Sequence, residues 1–164
     1  MRLRISCATR YPALIEKISQ SLARLLPQNR VSVVRTRSKC VIVSVYSNHL
    51  ETLLGWKASG GSKHHQSVQV PEWVREDPAL SVCCLRGLIE TDGTVYEDRG
   101  YPMVMYSTVI PTLAEQVHEI VRGLGFVPHM YKIQQRPANW LPKYQLRLSR
   151  NVRAFLELVS PLKA

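Results

Sequence analysis

The stretch DPALSVCCLRGLIETDG, residues 77–93, predicts a single helix with a marked start and a marked end. Asp77 can accept hydrogen bonds from the first free amides of a helix, and the proline after it suits the first helical position. Apolar and small residues then continue to Ile89, a pattern typical of a helix that is buried on more than one side. The helix is predicted to end at Asp92, with Gly93 making the left-handed step that often follows a helix.

Small residues recur at intervals of four along this helix: Ala79, Cys83, Gly87 and Thr91. Residues at this spacing lie on one face, and a stripe of small side chains lets a second helix approach closely. The acid at position 92 is unusual, because a carboxylate at the C-terminal end of a helix faces the negative end of the helix dipole. We therefore expect a partner helix on the stripe and a cation near the acid.

The nine residues that end this helix, LRGLIETDG at 85–93, resemble the signature of the LAGLIDADG homing endonucleases of the dodecapeptide type. Seven of the nine positions match in identity or charge class, and the departures are Arg86 and Thr91. The preceding segment SKHHQSVQVPEWV, residues 62–74, is similar to the approach to the signature helix in the same family. The resemblance implies an α+β fold of two pseudo-symmetric halves, each with an antiparallel sheet that helices cover on one face.

An internal repeat also predicts two halves. Residues 5–26 align without gaps to residues 104–125, and both segments continue with a strand, a second strand and a helix. The identical pairs are Thr9/Thr108, Pro12/Pro111, Leu14/Leu113, Glu16/Glu115 and Leu25/Leu124. We divide the chain into a truncated first repeat at 1–56 (βαββα), a linker at 57–76 and a complete second repeat at 77–164 (αββαββα).

The two predicted halves are unequal, because the first half lacks a signature helix. Two-repeat members of the family carry two signature helices and two acids at this position, whereas this chain has one helix and only Asp92. The resemblance therefore implies a homodimer in which the 77–93 helices of two copies pack across a twofold axis.

The composition favours a polyanionic partner. The chain has 22 basic and 12 acidic residues and a formal charge of +10. Residues 1–63 hold eleven basic residues and two acids, so this part alone carries 11 − 2 = +9. An excess of this size is typical of proteins that bind nucleic acid or an anionic membrane surface. Because the chain has no 18-residue apolar run and no signal-peptide pattern, we expect nucleic acid, with no membrane partner and no small-molecule substrate.

The four cysteines give neither a metal pattern nor a disulfide pattern: Cys7, Cys40, Cys83 and Cys84. Their spacing fits no common metal site, and an adjacent pair does not fit an ordinary disulfide framework. Reduced thiols are typical of the cytoplasm or an organellar matrix. We expect the chain to reside there and not to be secreted.

Basic and amide side chains recur at every second position in the predicted strands. Side chains at this spacing lie on one face of a strand, and the intervening residues here are mostly apolar. Such a sheet face suits duplex DNA, because Arg can pair with guanine, Gln with adenine and the remaining charges with phosphates. The predicted DNA-binding residues are Arg2, Arg4, Arg35, Arg37, Lys39, Lys132, Gln134, Arg136, Gln145 and Arg147.

Asp92 is the predicted catalytic residue, and with Gly93 it forms the predicted metal site. A carboxylate at a helix end beside a phosphate-binding surface can hold Mg²⁺, which would polarise the scissile phosphate and activate water. The resemblance assigns the metal-binding role to Asp92, whereas Glu90 is expected to support the helix end. The family also carries a lysine in the segment after the last helix of each half, which would stabilise charge on the phosphate. The matching positions here are Lys163 and Lys63, with Lys57 as a third candidate.

The sequence therefore predicts sequence-specific binding of double-stranded DNA and Mg²⁺-dependent cleavage by a homing-type endonuclease, associated with an intron or an intein. There are two alternatives. The first is a DNA-binding protein that does not cleave, either a degenerate endonuclease or a regulator built on the same fold; the missing helix and its acid favour it. The second is an RNA-splicing maturase, with which the positive charge is compatible.

Overall fold

The computed structural model describes residues 1–135, 137 and 140–162, and it divides into two compact units, Met1–Gly61 and Ser62–Ala164. The first unit contains β1 (Arg2–Ala8), α1 (Pro12–Leu25), β2 (Ser32–Arg35), β3 (Cys40–Tyr46) and α2 (Leu50–Leu54). The second unit contains α3 (Glu72–Arg75), α4 (Pro78–Asp92), β4 (Gly93–Asp98), β5 (Tyr101–Thr108), α5 (Pro111–Gly123), β6 (His129–Ile133), β7 (Lys143–Leu148) and α6 (Val152–Val159). Within the described residues, no helix combines the length and the apolar composition that crossing a membrane requires.

The first unit is a three-stranded antiparallel sheet in the order β1-β3-β2, with helices on one face. Val43 and Val45 of β3 lie on the face that packs against Leu22 of α1. The alternate residues of β1, Arg2 and Arg4, project from the other face because successive side chains of a strand point to opposite sides. The apolar face of this small sheet is therefore covered, and its other face is open.

The second unit is a four-stranded antiparallel sheet in the order β4-β5-β7-β6, with helices on one face. Its core comes from α4, α5, α6 and the strands beneath them: Leu85, Ile89, Val104, Tyr106, Val117, Val121, Leu146, Leu148 and Phe155. Phe155 meets Phe126 edge to face, with ring centroids 5.2 Å apart. Alternation along β7 directs Gln145 and Arg147 away from the helices, so this sheet also has an open face.

The structure confirms the predicted α+β class and its antiparallel sheets. The sequence also predicts a hairpin with residues 98–100 at its tip, and the structure contains it, with Arg99 and Gly100 at φ values of 52° and 83° between β4 and β5. Two consecutive residues with positive φ match the twist of the flanking strands. The sequence does not predict α3, and it places Leu25 on the inner face of α1. Leu25 is in fact 58% exposed, because the helix ends there and Leu26 is buried in its place.

α4 has the start that the sequence predicts but a different end. Asp77 Oδ1 accepts hydrogen bonds from the backbone N–H groups of Ala79 (2.7 Å) and Leu80 (3.2 Å). At the other end Gly93 has φ −92° and ψ 164°, so the predicted left-handed step is wrong and the chain passes directly into β4. Glycine is needed there for space, because a Cβ would lie 2.6 Å from Cα of Ile89.

Candidate functional site

One face of α4 is exposed, and it carries the predicted stripe of small residues: Ala79, Cys83, Gly87 and Thr91. Leu85 and Ile89 lie on the opposite face of the helix and are buried in the core. A Cβ built on Gly87 meets no heavy atom within 4 Å, so none of the described residues packs closely at this point. The stripe is therefore a surface, and its contact with a second copy of the chain stays a prediction.

Asp92 is exposed at the C-terminal end of α4, where the chain enters β4. The Thr91 hydroxyl lies 3.2 Å from Oδ2 of Asp92 and 3.0 Å from the Gly87 carbonyl oxygen, so it can donate to either. The described residues contain no group of three or more His, Cys, Asp or Glu side chains that could hold a metal ion. Asp92 can supply one oxygen ligand, and a divalent cation would need the others from water, nucleic acid or another chain.

Tyr106 of β5 is buried, and it pairs with the first residue of β4. It lies opposite Gly93, the residue after Asp92, and only 5% of its surface is exposed. Burial raises the pKa of Tyr106 far above its ordinary value; a hydrogen bond with Thr108 opposes this shift, and the negative charge of Asp92 adds to it. The phenol therefore stays neutral at physiological pH and adds no charge near the acid.

The other residues predicted at the helix end occupy different environments. Glu90 is buried, and its Oε1 accepts a hydrogen bond of 3.0 Å from the backbone N–H of Leu162, which supports the end of α4. Lys63 is exposed in the stretch before α3, where its carbonyl oxygen accepts a hydrogen bond from the N–H of Val68. Lys163 lies outside the described residues. The catalytic roles of both lysines stay predictions.

The open face of the first sheet carries two of the predicted arginines. Arg2 and Arg4 are exposed and alternate with less exposed residues along β1. The Arg2 guanidinium lies over the Tyr46 ring at 5.1 Å, and its Nη2 lies 3.4 Å from Ser44 Oγ. A guanidinium stacked on an aromatic ring keeps several N–H donors with which it can bind an anion.

Arg35 does not lie on that open face, so the prediction that it shares a basic face is wrong. The register pairs Arg35 with Val41, which is buried on the helix side of the sheet. Arg35 is exposed because β2 is an edge strand, and its side chain starts from the face opposite to Arg2.

Arg37 and Lys39 lie in the turn between β2 and β3, so they do not continue the alternation of a strand. Thr36 closes this turn, since its backbone N–H and its hydroxyl both donate to the Cys40 carbonyl oxygen, at 3.1 and 2.9 Å. A spacing of two residues indicates a shared face only while the strand lasts. The predicted common face of these two basic residues is therefore wrong.

The open face of the second sheet carries Gln145 and Arg147, which alternate with the buried Leu146. The prediction that Lys132 shares this face is wrong. Lys132 pairs with Tyr144 on the helix side, and its Nζ lies 5.9 Å from the centre of the Tyr144 ring. Alternation shows which residues of one strand share a face. The register between two strands decides which residues of the neighbouring strand lie on that same face.

Two further predicted residues follow the end of β6. Gln134 lies beyond the last strand residue, Ile133, and its Nε2 lies 3.5 Å from the carbonyl oxygen of Trp140. Arg136 lies outside the described residues. Strand alternation therefore does not place Gln134 on the open face of the sheet.

The register adds residues to this open face that sequence reasoning does not identify. The cross-strand partners are Met105 and His129 for Arg147, and Ser107 and Tyr131 for Gln145. Gln145 Nε2 lies 3.4 Å from Ser107 Oγ. Nε of Arg147 is buried and has no hydrogen-bond partner among the described residues. Arg147 as a whole is only partly buried.

A family model described as a LAGLIDADG-like domain matches residues 81–160. The solved structure of I-DmoI in complex with DNA and Mn is similar, with a TM-score of 0.66 and 15% identity over 99% of this chain and 81% of that chain. The structure of a single-residue variant of I-DmoI with its target DNA and Mg is also similar, with a TM-score of 0.63 and 16% identity. The match covers 98% of this chain and 79% of that chain. The structure of the N-terminal LAGLIDADG domain of DUF199/WhiA matches with a TM-score of 0.60 and 14% identity. The match covers 95% of this chain and 71% of that chain.

The family model confirms a LAGLIDADG-like domain over residues 81–160, as residues 85–93 predict, and the solved structures confirm the fold. At identities near 15% the solved structures establish the fold alone. No curated protein sequence matches the chain.

Proposed function

Because this chain carries a LAGLIDADG-family domain over residues 81–160, we propose that it binds double-stranded DNA and cleaves it as a homing-type endonuclease. The observation that carries the proposal is the open face of the second sheet, on which the strand register places Arg147. The same face presents Gln145 and His129. Guanidinium, amide and imidazole groups can hydrogen-bond to base edges in the major groove and to phosphates.

The charge distribution supports a duplex partner for the first unit as well. Its residues 1–61 carry a formal charge of +8, from ten basic residues and two acids. Arg2 and Arg4 lie on the open sheet face, and Arg35, Arg37 and Lys39 are exposed at its edge and turn. Charges of this kind neutralise phosphates and set the register of a protein on DNA, whereas contacts to bases provide specificity.

We expect Arg147→Ala to weaken binding to a selected duplex by about 1–3 kcal/mol, because the variant loses a guanidinium that pairs with a base or a phosphate. Arg122→Ala is the matched control: Arg122 is exposed in the last turn of α5, which packs on the covered face of the sheet. Its binding should stay close to that of the wild type. The measurement is fluorescence anisotropy at several salt concentrations, with a target selected from a library of random duplexes.

Equal losses for the two variants would contradict a DNA-binding surface on the open sheet face. Tighter binding of structured RNA than of any duplex would instead favour the maturase alternative. A steep fall of affinity with rising salt is expected for either nucleic acid, so salt dependence alone does not decide between them.

Asp92 is the residue proposed to hold a divalent metal ion, with Gly93 beside it. Mg²⁺ is commonly bound by one or two carboxylates together with phosphate and water oxygens, so one exposed carboxylate on a DNA-binding protein fits this ion. When bound, the ion would polarise the scissile phosphate and lower the pKa of a water ligand. The protein itself provides the Asp92 carboxylate at a fixed helix end, with the Thr91 hydroxyl 3.2 Å away.

We further propose that two copies associate through the small-residue stripe of α4, so that two Asp92 carboxylates meet at one site. The resemblance implies two such acids at one cleavage site, and the described residues of one chain contain no cluster that could hold a metal alone. The exposed surface at Gly87 provides room for the backbone of a second helix.

Cross-linking through Cys83 should report this dimer. Cys83 is exposed on the stripe, whereas Cys84 is partly buried. Burial, and to a smaller extent the negative charge of an ionised Cys83, raises the pKa of the Cys84 thiol. A raised pKa leaves less reactive thiolate at neutral pH. We expect a short bismaleimide to give a covalent dimer with the wild type and with Cys84→Ser, and none with Cys83→Ser. A sedimentation coefficient of a monomer, with and without DNA, would contradict association through α4.

A DNA-binding protein that does not cleave is the second candidate, and the single acid of this chain favours it. Such a protein would use the same open sheet faces and need no second Asp92. The two functions differ in one experiment: incubation of the selected duplex with Mg²⁺ gives cleavage products in the first case and intact, bound DNA in the second.

A further inference from the structure

We propose that Arg2 binds a guanine base of the DNA target and that Tyr46 holds the Arg2 guanidinium in the orientation that this contact requires. Both residues lie on the open face of the first sheet. The inference rests on the proposed binding of duplex DNA, and it holds whether or not the protein cleaves that DNA. It gives Arg2 a role in sequence specificity, which contacts to phosphates alone do not provide.

The register of the first sheet brings Arg2 and Tyr46 together. They are cross-strand partners in the antiparallel pair of β1 and β3, so their side chains start from the same face. The central carbon of the Arg2 guanidinium lies 5.1 Å from the centre of the Tyr46 ring. Beside this pair the Ser47 N–H donates to the Met1 carbonyl oxygen at 3.0 Å. The two strands are therefore fixed to each other where the ring and the guanidinium meet.

A second contact fixes the direction of the Arg2 side chain along the sheet. Its Nη2 lies 3.4 Å from Oγ of Ser44, which is two residues before Tyr46 on β3 and therefore on the same face. Ser44 is only 2% exposed, so its side chain has little freedom to move. The guanidinium is thus held at two points, by the Tyr46 ring and by the Ser44 hydroxyl.

The stacked guanidinium keeps the donors with which arginine recognises guanine. A guanidinium has five N–H donors, and Ser44 can take one of the two on Nη2. Because Nη2 belongs to both two-donor edges of the group, one complete edge stays free. Among the described residues, Arg2 has no acidic partner that would occupy this edge. Guanine presents its O6 and N7 acceptors to such an edge in the major groove.

A fixed orientation favours a base over a phosphate as the partner of Arg2. A phosphate offers oxygens in several directions and also accepts a mobile lysine, whereas the two guanine acceptors need a planar pair of donors. Arg4 is the contrasting case on the same face. It is exposed and pairs with Ser44 in the register, but none of the described residues places a ring beside it. Its mobile charge is suited to a phosphate.

The test measures base preference at each position of a selected target. The wild type selects duplexes from a random library, and the four bases at every position of its target are then compared by fluorescence anisotropy. We expect one position at which the wild type prefers guanine by about 5- to 150-fold, the range for a bidentate contact to a base. Arg2→Ala should bind the four bases at that position with affinities within about 2-fold of one another.

Three further substitutions separate orientation from charge. Arg2→Lys keeps the charge but has no planar pair of donors, so it should bind unrelated sequences as the wild type does and lose the guanine preference. Tyr46→Leu removes the ring and should lower that preference by about 5-fold. Tyr46→Phe keeps the ring and should keep the preference. Because Arg2 and Tyr46 are exposed, all of these variants should unfold at the wild-type temperature.

Arg4→Ala is the matched control, and it should weaken binding to all sequences by the same factor and leave the guanine preference unchanged. If Arg2→Ala behaves in the same way, Arg2 contacts a phosphate, and the guanine contact is overturned while duplex binding stands. If Tyr46→Leu keeps the full preference, the positioning role of Tyr46 is overturned. If the wild type selects no duplex, the proposed DNA binding fails, and this inference fails with it.

Discussion

Asp92→Asn is expected to abolish DNA cleavage and to leave both the fold and DNA binding intact. Asparagine keeps the shape of the side chain but removes the negative charge that holds a divalent cation, so we expect the single-turnover rate in Mg²⁺ to fall by about 10³-fold. Binding should be unchanged or slightly tighter, because one negative charge is removed from a surface that meets phosphates. Asp92 is exposed, so no packing is lost.

The same variant should be slightly more stable than the wild type, which separates loss of function from loss of structure. A carboxylate at a helix C-terminus is unfavourable by about 0.3–1 kcal/mol, and Asp92→Asn removes it from the last residue of α4. Thermal unfolding measures this gain. A variant that unfolds at a lower temperature would show that Asp92 stabilises the helix end and that its inactivity has a structural cause.

Asp98→Asn is the matched control for charge. Asp98 is exposed at the end of β4, next to the hairpin turn, and belongs to the same unit as Asp92. This variant should cleave at the rate of the wild type. Cleavage by Asp92→Asn at the same rate would exclude Asp92 as the metal ligand. Tight DNA binding without cleavage by the wild type would favour the protein that does not cleave.

Local signals in the sequence predict the parts of the fold that neighbouring residues determine. The start of α4 follows from Asp77, because a cap binds amides two and three residues ahead of it. The hairpin follows from Arg99 and Gly100, which provide two consecutive positive φ values. Arg2 and Arg4 lie on an open face as alternation predicts, since β1 continues unbroken across both.

The same local signals predict neither the register between two strands nor the residue at which a strand ends. Lys132 has the spacing of an outward residue, yet its pairing with Tyr144 places it on the helix side. Arg37 has the spacing of a strand residue, yet it lies in a turn that Thr36 closes. The first error arises because a hydrophobic pattern specifies the face within one strand and not which residues of two strands pair, and the second arises because the spacing does not show where a strand ends.

The sequence pattern also does not predict contacts between residues that are distant along the chain. The sequence marks Arg86 as a departure from the signature and Glu90 as a support of the helix end. Only the structure shows that both bind the segment after α6, at Val159 and Leu162. A buried acid on a helix is a signal that such a partner exists, but its identity depends on packing across the unit.

Gly93→Ala is expected to destabilise the second unit strongly. A Cβ at this position would lie 2.6 Å from Cα of Ile89 and 2.8 Å from its carbonyl oxygen. These are backbone atoms of the last turn of α4, and Ile89 is buried in the core, so the contact cannot relax by a side-chain rotation. We expect the free energy of unfolding of the second unit to fall by about 3 kcal/mol, as measured by urea denaturation.

Gly87→Ala is the matched control, because the same methyl group there meets no heavy atom within 4 Å. Alanine is favoured over glycine inside a helix by about 1 kcal/mol, so this variant should be more stable at concentrations where the chain is monomeric. At higher concentrations the added methyl groups should hold two helices apart and weaken the dimer, which sedimentation measures. Unfolding of Gly93→Ala at the wild-type urea midpoint would show that the turn at Ile89 can shift. A Gly87→Ala dimer of unchanged affinity would place the interface outside the stripe.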